Sequence, residues 1–153
     1  MTRASRPRYD GVMSSTAIDI SPLGKSPATL REALMFWNAQ ADGTPLKPQL
    51  RSAVIQSFEF TYELSLRLLR RILIERAESA DLIASLSFND LLRRGSDAGL
   101  LSDPVRWREW REMRNATSHA YDDVTAQAMA ERACVFVEDA SALFARLEAS
   151  RAG

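Results

Sequence analysis

The sequence predicts an all-α, up-and-down bundle of four to five helices, and three observations carry that reading. Apolar residues recur at three- and four-residue spacings through most of the chain. The β-branched runs and two-residue alternation that mark strands are absent. Proline, glycine and capping residues divide the sequence into segments of helical length. With 153 residues, 46% of them apolar, the chain is long enough for one substantial core without disulfide or metal staples. A flexible tail is expected over residues 1–26, rich in Ser, Pro, Gly and Arg, with Met13 a possible alternative start. The bundle is expected over residues 27–150.

Ser26-Pro27 has the form of an N-cap followed by proline in the first turn. Leu30, Leu34, Trp37 and Ala41 then mark a first helix, which Asp42-Gly43-Thr44-Pro45 ends. From near Pro48 a second helix of about 28 residues, on the order of 40 Å, carries Val54, Phe58, Tyr62, Leu66, Leu69 and Leu73 on one face. Ser87-Phe88-Asn89-Asp90 resembles a capping box for a third helix that stops near Gly99. Asp103-Pro104 opens a fourth, with Val105, Trp107, Trp110 and Met113 along it. The last helix has the clearest seam, because Met129, Ala133, Phe136, Ala140, Leu143 and Leu147 alternate spacings of four and three.

Composition narrows the function. Twenty basic and twenty acidic residues cancel, so no overall field draws the chain to nucleic acid or to an acidic membrane. Only Lys25 and Lys47 among the basic residues are lysines. Arginine forks suit phosphate, although a GC-rich coding bias gives the same composition. A single cysteine, Cys134, and a single histidine, His119, exclude an internal disulfide and the usual Cys/His metal sites. No metal or cofactor is expected. No apolar run approaches the roughly twenty residues that span a bilayer, and no apolar segment follows the basic N-terminus. The expected compartment is the cytoplasm, where the sequon-like Asn115-Ala116-Thr117 has no meaning.

Chemistry concentrates in Arg114-Asn115-Ala116-Thr117-Ser118-His119-Ala120-Tyr121-Asp122. Five residues is about 140° of rotation on an ideal helix, yet the long Arg114 side chain reaches towards His119 if the helix loosens before Asp122-Asp123. Arginine supplies fixed donors for a phosphate, and histidine as a residue type titrates near neutrality. Together they are the minimum parts for metal-free cleavage of RNA. Duller roles compete. A histidine near a helix C-terminus caps carbonyls, Tyr121 is a half-buried aromatic, and Asp122 an N-cap for the next helix. Arg114 stands apart, because Trp110, Arg111, Thr117 and Ser118, three and four positions either side, include no acid. It must point to another helix, another subunit or a ligand.

The nonapeptide resembles the Arg-x4-His signature of HEPN domains, and more narrowly the Arg-Asn-x-Thr-Ser-His-x-Tyr-Asp form of their nucleotidyltransferase substrate-binding branch. Ile55 to Leu64 is similar to that branch's second-helix pattern. Gly99-Leu100-Leu101-Ser102-Asp103, with Trp107 just after, resembles its approach to the motif helix. The resemblance implies a homodimer in which two motif helices meet and the Arg114 and His119 pairs share one cleft. It also implies a minimal nucleotidyltransferase partner that attaches AMP to the motif tyrosine, here Tyr121. Asn115, Ser118 and Asp122 are candidate supporting residues, as is Glu59, which shares one side of the second helix with Gln56 and Glu63. A solvated Glu63–Arg67 pair is the simpler expectation for Glu63. Trp107 and Trp110, three apart, are expected in the core or a dimer interface rather than stacking on bases.

Two functions follow from these parts. One is the toxin of a nucleotidyltransferase/HEPN toxin–antitoxin pair, a metal-independent endoribonuclease acting through Arg114 and His119. The alternative is a non-catalytic subunit that holds a nucleotide or substrate for a minimal nucleotidyltransferase.

Overall fold

The computed structural model describes residues 19–77 and 79–151. Six α-helices and one 3-10 turn account for most of them, and among the described residues there is no strand. The helices are α1 (Ser21–Ala39), α2 (Leu46–Arg76), α3 (Ala80–Ala84), α4 (Phe88–Asp97), α5 (Pro104–Ala116) and α6 (Asp123–Arg151). Thr117–His119 forms the 3-10 turn between α5 and α6. The three long helices, α1, α2 and α6, pack against one another, and α4 and α5 close the bundle alongside α2. No described helix is long and apolar enough to cross a membrane.

The first helix begins earlier than the sequence suggested. Two Ser-Pro pairs lie five residues apart, and the structure starts α1 at the first of them, Ser21-Pro22. Asp19 Oδ1 accepts hydrogen bonds from the Ser21 amide at 3.0 Å and its hydroxyl at 2.6 Å. Burial of Ile20 and Leu23 in the core supplies the driving force for the extra turn. Residues 21–26 are therefore helix and not tail, while residues 1–18, with Met13, lie outside the described residues. Ser26 is not a cap. It is buried, and its hydroxyl pairs with that of Thr61 on α2. Pro27 sits inside the helix, where its missing N–H removes one backbone hydrogen bond.

The starts of α4 and α5 follow the expected chemistry. The Ser87 side chain accepts from the Asp90 amide at 3.2 Å and opens α4. Asp103 accepts from the Arg106 amide at 3.1 Å, with Pro104 in the first turn of α5. Gly43 and Gly99 have φ of 83° and 74°, the left-handed conformation that glycine adopts without a Cβ penalty. The short α3, which no periodicity announced, inserts Ile83 into the core.

Every residue of the α6 seam, Met129 through Leu147, is buried. Phe136 lies at its centre, in edge-to-face contact with Phe58 at 4.7 Å, Trp110 at 5.4 Å and Trp107 at 5.9 Å between ring centroids. Both tryptophans are core residues, as expected, while Val105 on the same helix is exposed. One helical turn beyond Phe136, Asp139 accepts from Trp110 Nε1 at 2.7 Å and takes a two-point contact from Arg106, at 2.8 and 3.0 Å.

Two outcomes are expected from denaturant unfolding. Phe136→Ala removes the shared aromatic partner and costs about 3–5 kcal/mol. Thr61→Val leaves the Ser26 hydroxyl buried without its partner and costs about 1–3 kcal/mol, whereas the double change Ser26→Ala/Thr61→Val recovers most of that loss. A double variant no more stable than the single one would show that the hydroxyl pair is not the relevant contact.

Candidate functional site

The nonapeptide spans the end of α5, the 3-10 turn and the entry to α6. Thr117 ends α5. Its hydroxyl donates to the Arg114 carbonyl at 2.7 Å and accepts from Arg114 Nη1 at 3.0 Å. The α-helical ladder stops at this local exchange and the chain tightens into a 3-10 turn, so the regular helix does break before Asp122-Asp123.

Arg114 finds its partners on α2. Glu63 Oε1 accepts from Nη2 at 2.6 Å and from Nε at 3.1 Å, and Glu59 Oε2 lies 3.8 Å from Nη2. The pairing with Glu63, helped by the charge of Glu59, raises the guanidinium above its already high ordinary value, so it carries a permanent charge. The search for an inter-helix partner thus ends at two carboxylates one turn apart. The simpler expectation for Glu63 fails, because its oxygen is turned across the bundle to Arg114 and the described ion pairs include none with Arg67. Beside it Tyr62 is buried, and burial pushes its phenol up to about 12.

His119 closes the 3-10 turn and is exposed. Among the described residues its ring makes no hydrogen bond, and the neighbouring aromatic group is Tyr121, with centroids 6.4 Å apart. Tyr121 is 85% exposed rather than half-buried. The Arg114 fork is directed to α2 and does not contact the imidazole within the monomer. Asn115 and Ser118 are also exposed, and their one mutual contact is a 3.4 Å bond from the Ser118 hydroxyl to the Asn115 carbonyl.

Asp122 opens α6, accepting from the Thr125 hydroxyl at 2.7 Å and its amide at 3.4 Å. Those bonds, the hydroxyl first, hold its carboxyl below the usual carboxylate range. Asp123 pairs with Arg51 of α2 at 2.8 Å, a tie at the far end of the motif that no sequence pattern disclosed. Among the described residues no group of three His, Cys, Asp or Glu side chains is placed to hold a metal ion. The structure therefore brings together Arg114, Glu59, Glu63 and Thr117 as one cluster and His119 with Tyr121 as another, separated by a single turn.

A family model described as "Nucleotidyltransferase substrate binding protein like" matches residues 18–149. The chain belongs to that family. It is thus a member of the nucleotidyltransferase substrate-binding branch of the HEPN domains, as its motif suggested. Within the family it is 40% identical over 98 residues to a Haemophilus influenzae protein named "Probable ribonuclease HepT", covering 64% of this chain and 67% of that one. A solved structure from the same species, described as revealing the fold of a substrate-binding domain of a nucleotidyltransferase, superposes with a TM-score of 0.77. That structure is 31% identical, and the match covers 85% of this chain and 99% of the other.

The lowered Asp122 carboxyl has a consequence for acid stability. A depressed folded-state value stabilises the protein above the unfolded value, and the contribution is lost as pH falls through the folded one. The stability difference between the native chain and Asp122→Asn is therefore expected to be constant near neutrality and to shrink below about pH 4. Chemical denaturation at a series of pH values measures it, and a difference independent of pH would remove Asp122 from the cap.

Proposed function

We propose that this chain is a metal-independent endoribonuclease, the toxin of a pair with a minimal nucleotidyltransferase, acting in the cytoplasm as a homodimer. The single observation that carries the reading is an anchored, permanently charged guanidinium one turn from an exposed imidazole that makes no hydrogen bond among the described residues. The name of the Haemophilus influenzae relative supports the same class.

In this reading His119 accepts the proton of a ribose 2′-hydroxyl. The 2′-oxygen attacks the adjacent phosphorus, the bond to the 5′-oxygen breaks, and a 2′,3′-cyclic phosphate forms. A second imidazole, from the other protomer of the dimer, returns a proton to the departing 5′-oxygen. Arg114 stabilises the charge that builds on the phosphate, using the N–H groups that Glu63 and Thr117 leave free. Asn115 and Ser118, exposed on the same turn, add donors. The exposed Tyr121 is the acceptor for AMP, which places bulk and negative charge two residues from His119 and blocks the phosphate site.

One observation favours the alternative of a non-catalytic nucleotide- or substrate-binding subunit. Two carboxylates already match the charge of Arg114, which suits a group that orders a binding surface.

Induction of the wild-type chain alone in bacteria is expected to arrest growth and cleave RNA. His119→Ala is expected to lower turnover by about 10²–10⁴ with an unchanged helical spectrum. Healthy growth and intact RNA for both proteins at matched levels would leave the binding subunit as the better account. Incubation with the nucleotidyltransferase and ATP is expected to add the mass of AMP to the wild-type chain and not to Tyr121→Phe. Modification that survives the substitution would place the acceptor elsewhere.

A further inference from the structure

Outside the motif, one groove shares its residues with the motif's anchor. It encloses about 620 Å³ between α1 and α2, within the range of small-ligand sites. Pro22, Lys25, Ser26 and Thr29 line one wall, at intervals of i, i+3, i+4 and i+7 on α1. Gln56, Glu59, Phe60 and Glu63 repeat those intervals on α2 and line the other. The groove therefore ends at the two carboxylates that hold Arg114.

Resting on the ribonuclease reading, we infer that this groove binds an unpaired RNA base next to the scissile phosphate, and favours a base with an exocyclic amine over uracil. Phe60 is 59% exposed although it lies on a wall of the groove, which leaves a ring face for stacking. Aromatic side chains that present a face to solvent in this way are how single-stranded bases are held. The Gln56 amide stands one turn before it on the same stripe and offers both donor and acceptor. Glu63 uses only Oε1 on Arg114. Its second oxygen remains an acceptor, and Glu59 adds another. Carboxylate acceptors pair with the amino groups of adenine, cytosine and guanine, whereas the one Watson–Crick donor of uracil, N3–H, is flanked by two carbonyl oxygens that repel a carboxylate. Lys25, with no ion pair among the described residues, lies on the opposite wall to meet a phosphate.

The test uses the full chain and two labelled heptanucleotides, all-adenine and all-uracil, with 2′-O-methyl riboses that cannot be cleaved. The adenine oligomer is expected to bind more tightly than the uracil one. Phe60→Ala is expected to weaken adenine binding by about 5- to 150-fold, the range for loss of one stacked base, while Phe60→Tyr retains it. Equal affinity of Phe60→Ala and wild type would overturn the groove. So would a Phe60→Ala protein that sediments as a smaller species than wild type, since the ring would then belong to an interface between copies of the chain. The ribonuclease reading is judged separately, on unmodified RNA. Cleavage by the wild type together with unaltered binding by Phe60→Ala sinks the groove alone. Tight, Phe60-dependent binding with no cleavage keeps the groove and overturns the ribonuclease.

Discussion

The seating of α5 on α6 is the constraint on which the rest depends. Phe136 packs against both tryptophans of α5, and Asp139, three residues on, ties down Trp110 and Arg106. Apolar packing sets the distance between the helices, while the two-point charged contact sets their rotation. Once α5 cannot roll, the direction of the side chains further along α5 is set. Trp107, Trp110 and Arg114 lie at i, i+3 and i+7, so the arginine continues the stripe that faces the bundle. It arrives at the edge of the core, where α2 offers Glu63 and Glu59.

The end of α5 then separates the two halves of the motif. Thr117 binds both the carbonyl and the guanidinium of Arg114, and the chain enters a 3-10 turn. His119 and Tyr121 consequently leave the inward stripe and face outward. Asp122 restarts a helix, and the Asp123–Arg51 pair fastens that restart to α2. A short segment is thus held at both ends by α2, with an exposed imidazole between the two ties.

Much of this is legible in the amino-acid sequence. The α6 seam, the Ser87 and Asp103 caps and the stop before Gly99 arise from local chemistry, and each stands where the pattern puts it; α1 ends at Ala39, short of the Ala41 that the pattern counted in it. The start of α1 also departs from the pattern, because two Ser-Pro pairs compete, and the first is favoured by the Asp19 bonds to Ser21 and by the burial of Ile20 and Leu23. Within the site, the lack of an acid near Arg114 in sequence correctly implies a partner on another element. The choice of Glu63 over a local pairing with Arg67 depends on how α5 lies across α2, which no spacing in either helix encodes. Asp139, Arg51 and the opposing stripes of α1 and α2 are likewise products of tertiary packing.

The carboxylates around Arg114 also bear on how a polyanion would be met at a distance. Arg114 and Arg51 are each offset by an acid at bonding range, and Glu59 and Asp122 add further negative charge nearby. At these two arginines the neighbouring acids therefore leave little attractive potential beyond a Debye length, about 8 Å at physiological ionic strength. Steering of a polyanion by these two arginines would be weak and would change little with ionic strength. For the RNA substrate proposed above, selectivity would therefore have to reside in short-range fit.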